Sequence, residues 1–258
     1  MLQNLTLVDG SSSGDWITQY LRADLGRVSS YVPDCYQRYL RILHPARRHD
    51  GRQATWREVA LEKDRQVHPL VQWHALIGAS DPERISSRHW QGVSPEVGML
   101  PHELLQPLCL CLLEWTPDSS ACFFGVWEGW SAGVSVSGPK GKSRFSHLIA
   151  DAAQETENAR VVTESDAKRL ELPHRSYVVL RGGLESLAKS PERLGAITPN
   201  LIWPANRSWF VATEIDFDST LVAGSREMTA AIMASDKFET WEVSPRDSLT
   251  YRSDRINT

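Results

Sequence analysis

Residues 207–217, RSWFVATEIDF, constrain the fold more than any other stretch, because their character alternates. Side chains of an extended chain point to opposite faces in turn. Trp209, Val211, Thr213, Ile215 and Phe217 then share one face, which is almost wholly apolar and reads as the core face. Ser208, Phe210, Ala212, Glu214, Asp216 and Asp218 share the other, with three carboxylates at its far end. The segment is therefore expected to be one long strand with greasy side chains turned inward and acids turned out.

Further strands are expected over 121–128, 174–181, 200–203 and 238–243, each rich in β formers and bounded by turn residues. Pro204-Ala205-Asn206 marks a hairpin between 200–203 and the segment above. Residues 36–43, YQRYLRIL, fit both a period of two and a helical period; the strand reading is taken, ended by His44-Pro45. Thr55-Trp56-Arg57-Glu58 is a capping box that predicts a helix to about Lys63. Other helices are expected from Asp15 to Leu21, over 70–77, over 101–115 with a kink or later start at Pro107, and over 226–234 behind a Ser225 cap. Neighbouring strands with short turns, and no regular βαβα alternation, predict an α+β fold: a mostly antiparallel sheet packed by several helices.

The chain has 258 residues, 41% apolar and 23% charged, enough for one sizeable core without staples. We expect a flexible leader over 1–14, a single domain over 15–243 carrying an exposed insertion at 137–170, and a polar, fraying tail over 244–258. Net charge is -4, which argues against a general nucleic-acid or membrane-surface binder. The longest purely apolar run, Leu108 to Leu113, is too short to span a bilayer. The first residues carry no secretory pattern, so a cytoplasmic protein is expected. Cys35, Cys109, Cys111 and Cys122 form no CxxC and are expected to be reduced, buried thiols.

The acidic row at Glu214 and Asp216 has two readings. It is either an acid/base pair or hard-metal site, or a charged strand face that discourages aggregation. Arg207, flanked by Trp203 and Trp209, is either a ligand clamp or a pin for the hairpin. Trp127 and Trp130 fall beside turns with them and could complete a groove, while Trp56, Trp73, Trp115 and Trp241 fit core faces. The basic loop His44-Pro45-Ala46-Arg47-Arg48-His49 with Arg52 suits an anion, Arg47 above all, or is simply solvated. No phosphate-loop motif accompanies it. Gly129-Trp130-Ser131-Ala132-Gly133 matches a nucleophile elbow by letter, but strand and turn follow it where a helix is required. The histidines are scattered, so a zinc site would have to be assembled by the fold; no cysteine has a basic neighbour that would activate it, and the sequence names no particular cofactor.

At YLRILHPAR, CFFGVWEGW and above all NLIWPANRSWFVATEIDFDSTLVAGS, the chain resembles a family of uncharacterised bacterial proteins. That family has no assigned activity, fold or cofactor, so the resemblance implies only that 200–225 is its hallmark. The favoured reading is a non-catalytic protein that binds a protein partner or small ligand, such as an immunity-type protein masking a basic toxin. The alternative is a hydrolase using Glu214 and Asp216 as acid/base or metal ligands.

Overall fold

The computed structural model describes residues 5–129, 168–189 and 198–257. The chain opens with β1 (Thr6–Val8) and α1 (Gly10–Thr18), then β2 (Arg38–Leu43), β3 (Ala46–Arg48), β4 (Gln53–Ala54), α2 (Trp56–Lys63) and α3 (Trp73–Leu76). β5 (Gly92–Val93), α4 (His102–Leu113), β6 (Cys122–Trp127), β7 (Leu170–Leu172), β8 (Arg175–Gly182) and α5 (Leu184–Lys189) follow. The chain closes with β9 (Leu201–Pro204), β10 (Phe210–Ala212), β11 (Ser219–Gly224), α6 (Arg226–Ala234) and β12 (Glu239–Val243). The fold is α+β. Among the described residues a nine-stranded sheet runs β1-β8-β6-β9-β10-β11-β2-β12, with β7 also on β8, and every pairing in it is antiparallel. A small sheet, β4-β3-β5, stands beside it.

Both faces of the large sheet are covered. Leu40, Ile42, Phe124, Leu180, Ile202, Val211 and Val222 meet α4, α5 and α6 on one side. Tyr39, Tyr177, Leu201, Trp203, Phe210 and Leu221 meet α1 and the 28–32 segment on the other. Strand β10 is therefore apolar on both faces, with Trp209 and Val211 in the first cluster and Phe210 and Ala212 in the second. Burying Val211 or Phe210 is worth about 1.5–3 kcal/mol. A third cluster, around Trp56, Trp73 and Trp90, fills the space under the small sheet.

Four expectations need correction. The 207–217 segment is not one strand: β10 ends at Ala212, the Phe217 N–H donates to the Glu214 carbonyl at 3.0 Å, and the chain reverses into β11. The acids sit on that turn, where short polar residues are favoured. The leader is ordered from Leu5 onward, since Thr6–Val8 pairs with Val179–Arg181 and Asp9 caps α1 by accepting the Ser12 N–H at 3.1 Å. Its glycines admit β7: a Cβ on Gly10 would lie 2.5 Å from the Leu170 amide nitrogen. The 244–258 tail is packed, with Leu249, Asp254 and Asn257 buried. The basic loop contains strand β3, because Ala46 and Arg47 pair with Ala54 and Gln53. Most of the 137–170 insertion lies outside the described residues, but Leu170, at its end, is fully buried beneath α1.

The expected strands at 36–43, 121–128, 174–181, 200–203 and 238–243 form close to their expected bounds. The capping box at Thr55 forms, and α4 starts at His102, ahead of Pro107.

Candidate functional site

The structure brings Glu214 and Asp216 together through a residue the sequence did not single out. Arg175, at the start of β8, donates from Nη2 to Glu214 Oε1 at 2.6 Å and to Asp216 Oδ2 at 3.1 Å. The two acids differ in exposure: the Glu214 side chain is 3% exposed and that of Asp216 is 74%. Burial pushes the Glu214 carboxyl above its ordinary value, while the Arg175 charge pulls it back. Burial also raises Tyr31 and Tyr177, and the Glu214 charge adds to both. Glu214, Arg175, Tyr31 and Tyr177 line a crevice of about 20 Å³, room for roughly one water, and Asp216 lies outside its lining. Arg175 also lies 5.9 Å from the Trp127 ring centre. The carboxylates thus form an ion-paired cluster and not a row along a strand. The third acid, Asp218, pairs with the buried Arg41 at 3.4 Å.

The tryptophan clamp does not assemble. Trp203 and Trp209 are fully buried and belong to clusters on opposite faces of the sheet. Trp203 stacks on Phe123 and Phe210, with centroids 5.5 and 5.9 Å away. The Trp209 Nε1–H donates to Thr116 Oγ1 at 3.0 Å. Arg207 sits in the hairpin at a φ of 57° and places its guanidinium 5.0 Å from the ring centre of Trp16 instead. Trp130 and most of the Gly129–Gly133 motif lie outside the described residues. Arg47 is tied down: its Nη2 donates to Glu103 Oε1 at 2.6 Å, and Gln53 Nε2 donates to the same oxygen at 2.9 Å.

A groove of about 480 Å³ opens beside that pair, between the end of α6, the start of β12, β4 and the start of α2. Leu104, Phe238 and Met233 supply apolar lining, and Gln53, Arg57 and Lys237 supply polar lining. Thr55 and Glu58 satisfy each other's backbone amides at the start of α2. Glu239 crosses from β12 to accept the Trp56 N–H at 2.6 Å and the Arg57 N–H at 2.9 Å. Burial pushes the Glu239 carboxyl up, and those two amides, with the nearby Arg57 charge, pull it down. Each of its oxygens is therefore committed to the helix. Lys237 lies 3.5 Å from Asp236, whereas the Arg57 side chain has no ion pair within 4.0 Å among the described residues. Four separate segments build this groove, so no local motif announces it.

Among the described residues, no group of three or more His, Cys, Asp or Glu side chains is placed to hold a metal. Cys109 and Cys122 are buried as expected, and burial pushes Cys122 up to about 12; contrary to expectation, Cys111 is half-buried and Cys35 exposed. No described helix is long and apolar enough to cross a membrane.

Fold and site together define an α+β protein with a ligand-sized groove at one end of its main sheet. Comparison with protein-family models, with curated proteins and with solved structures gives no match.

Proposed function

We propose that this is a non-catalytic binding protein whose ligand sits in the groove between α6–β12 and β4–α2. The observation that carries the reading is the pairing of apolar lining with the Arg57 guanidinium, which feels the Glu239 charge but forms no ion pair within 4.0 Å, in a concavity of ligand size. A small amphipathic acid fits it, with its carboxylate on Arg57 and its apolar body on Leu104, Phe238 and Met233. Glu239 does not serve as a base in this reading, because helix amides occupy both its oxygens. The alternative hydrolase, with Glu214 and Asp216 as acid/base or metal ligands, has weaker support, since one guanidinium holds both carboxylates beside a crevice of about 20 Å³. An immunity-type partner would need an open acidic face, and the same ion pairs remove much of that charge.

The test is ligand-observed NMR against a library of small aromatic and aliphatic carboxylates. Hits should saturate, weaken at least about tenfold in Arg57→Ala, and vanish in Met233→Trp, which fills the groove from an exposed position. If no hit saturates, or hits survive both substitutions, the groove is not the ligand seat.

A further inference from the structure

A second concavity lies beside the small sheet. It measures about 370 Å³ and is bounded by the end of β3, the last turn of α2 and the 88–91 segment. Three sequence-remote segments deliver basic side chains to it: Arg48 and His49, Lys63, and Arg88 with His89. Two acids also line it, but each already has a partner. Glu62 takes the Arg48 guanidinium in a two-pronged pair, and Asp50 accepts the backbone N–H and Nε–H of Arg52. Lys63 and Arg88 have no ion pair among the described residues, so the concavity keeps a net positive charge after these pairs cancel.

The local geometry favours donation. His89 Nδ1 accepts the Ser86 backbone N–H at 3.1 Å, which leaves the neutral ring's hydrogen on Nε2. The Arg48 guanidinium lies over the Trp90 ring, 5.9 Å from its centre, and is already oriented by Glu62. The carboxyl end of α2 opposes an anion near Lys63, which displaces the favoured position toward Arg88. A neighbouring depression of about 540 Å³ continues from the first, sharing His49, Trp90 and Gln91 with it. Ser86, Ser87 and Ser94 line that half, which offers hydroxyls and no net charge.

We propose that this double concavity binds a phosphate ester of a hydroxyl-bearing small molecule, such as a sugar phosphate. The phosphoryl group lies among Arg88, Lys63 and the two histidines, where cationic donors match its oxygens. The hydroxylated body lies along the serine-lined half. This site is separate from the groove at Arg57 and shares no lining residue with it.

Isothermal titration of the full chain with glucose 6-phosphate, glucose and inorganic phosphate reads the proposal directly. The ester should bind saturably and more tightly than inorganic phosphate, and glucose should give no heat. Arg88→Ala and Lys63→Ala should each weaken the ester about tenfold or more. Both positions are exposed, so the melting temperature should hold and report intact folding. Met233→Trp, which closes the other groove, should leave the ester's affinity unchanged. Absence of saturable binding by the ester into the millimolar range overturns the proposal. So does equal binding in the Arg88→Ala, Lys63→Ala double variant, or capture of single-stranded nucleic acid with none of the ester.

Discussion

The carboxylate of Asp254 ties the last segment of the described chain to the loop before α3, with Oδ1 2.9 Å from Nε2 of His68. It also accepts the backbone N–H groups of Gln72, Ile256 and Asn257 and the Asn257 side-chain amide. Burial pushes this carboxyl up, but the hydrogen bonds from Asn257, His68 and Ile256 outweigh it and hold it at about 2. A depressed carboxyl stabilises the fold above its unfolded value and loses that contribution as pH falls through the folded one. About 2 kcal/mol should therefore be lost between roughly pH 4 and pH 2. Urea unfolding across that range checks it, and Asp254→Asn should flatten the slope. In the same variant, hydrogen exchange at residues 249–257 should quicken before exchange in the central strands does.

Arg175 and Glu214 respond differently to substitution because one of them is enclosed. Removing Arg175 strands a buried carboxylate, and breaking a buried pair this way costs about 3–5 kcal/mol. Arg175→Met should thus destabilise strongly at neutral pH, and adding Glu214→Gln should recover most of the loss. Asp216→Asn, at an exposed position, should change stability by less than about 0.5 kcal/mol. Chemical denaturation of the parent and these three variants forms the test. Equal losses in Arg175→Met and in the double variant would show that the pair is not coupled.

Much of the fold is legible in the sequence, and the reason is local. The capping box at Thr55, the Ser225 cap of α6 and the β formers of β6, β8, β9 and β12 each act within a few residues. The turn at Glu214 is not legible, because Thr213, Ile215 and Phe217 alternate with acids whether or not the chain reverses. Periodicity assumes that one sheet face is wet, and here both faces are covered, so Trp209 and Phe210 are buried side by side. The site is hidden for another reason. Arg175 stands 39 residues from Glu214, and only tertiary structure brings them together. Leader and tail are not legible either, because small and polar residues there read as loose, whereas Gly10 serves packing and Asp254 anchoring.

Gly10 should tolerate no side chain. A Cβ at this position would lie 2.5 Å from the Leu170 backbone nitrogen and 2.9 Å from the Arg169 carbonyl carbon. The obstacle is backbone, so a rotamer change cannot relieve it, and α1 must shift away from β7. Gly10→Ala should cost about 1–3 kcal/mol as an overpacking change. Gly51→Asn is the control, since nothing lies within 4 Å of its position and its φ of 83° is one that Asn enters more readily than most residues. Thermal melts of both variants decide the matter: a clear drop for Gly10→Ala with little change for Gly51→Asn is the expected pair of results.

Burial of His44 should make stability fall over the upper part of an acid titration. The residue is fully buried at the end of β2, with Nδ1 2.7 Å from the Glu96 carbonyl and Nε2 2.8 Å from Thr220 Oγ1. A carbonyl only accepts, so Nδ1 carries the hydrogen and Nε2 accepts the Thr220 hydroxyl. Thr213 Oγ1, 2.8 Å from that hydroxyl, extends the chain of hydrogen bonds. Burial pushes the imidazole down to about 4, the Glu96 carbonyl opposes this, and the Arg41 charge reinforces it. The folded state therefore binds this proton less readily than the unfolded chain does. Stability is complete above the unfolded value near 6.5 and declines as pH falls toward 4, the reverse of a paired histidine. The decline amounts to about 3 kcal/mol and precedes the loss at Asp254. Unfolding free energies measured at half-unit steps from pH 7 to pH 4 give the slope. His44→Gln keeps one donor and one acceptor but cannot titrate, so its curve should fall less steeply than the parent's over that interval, even if displaced downward by imperfect packing. A variant curve parallel to the parent's would place the titrating group elsewhere.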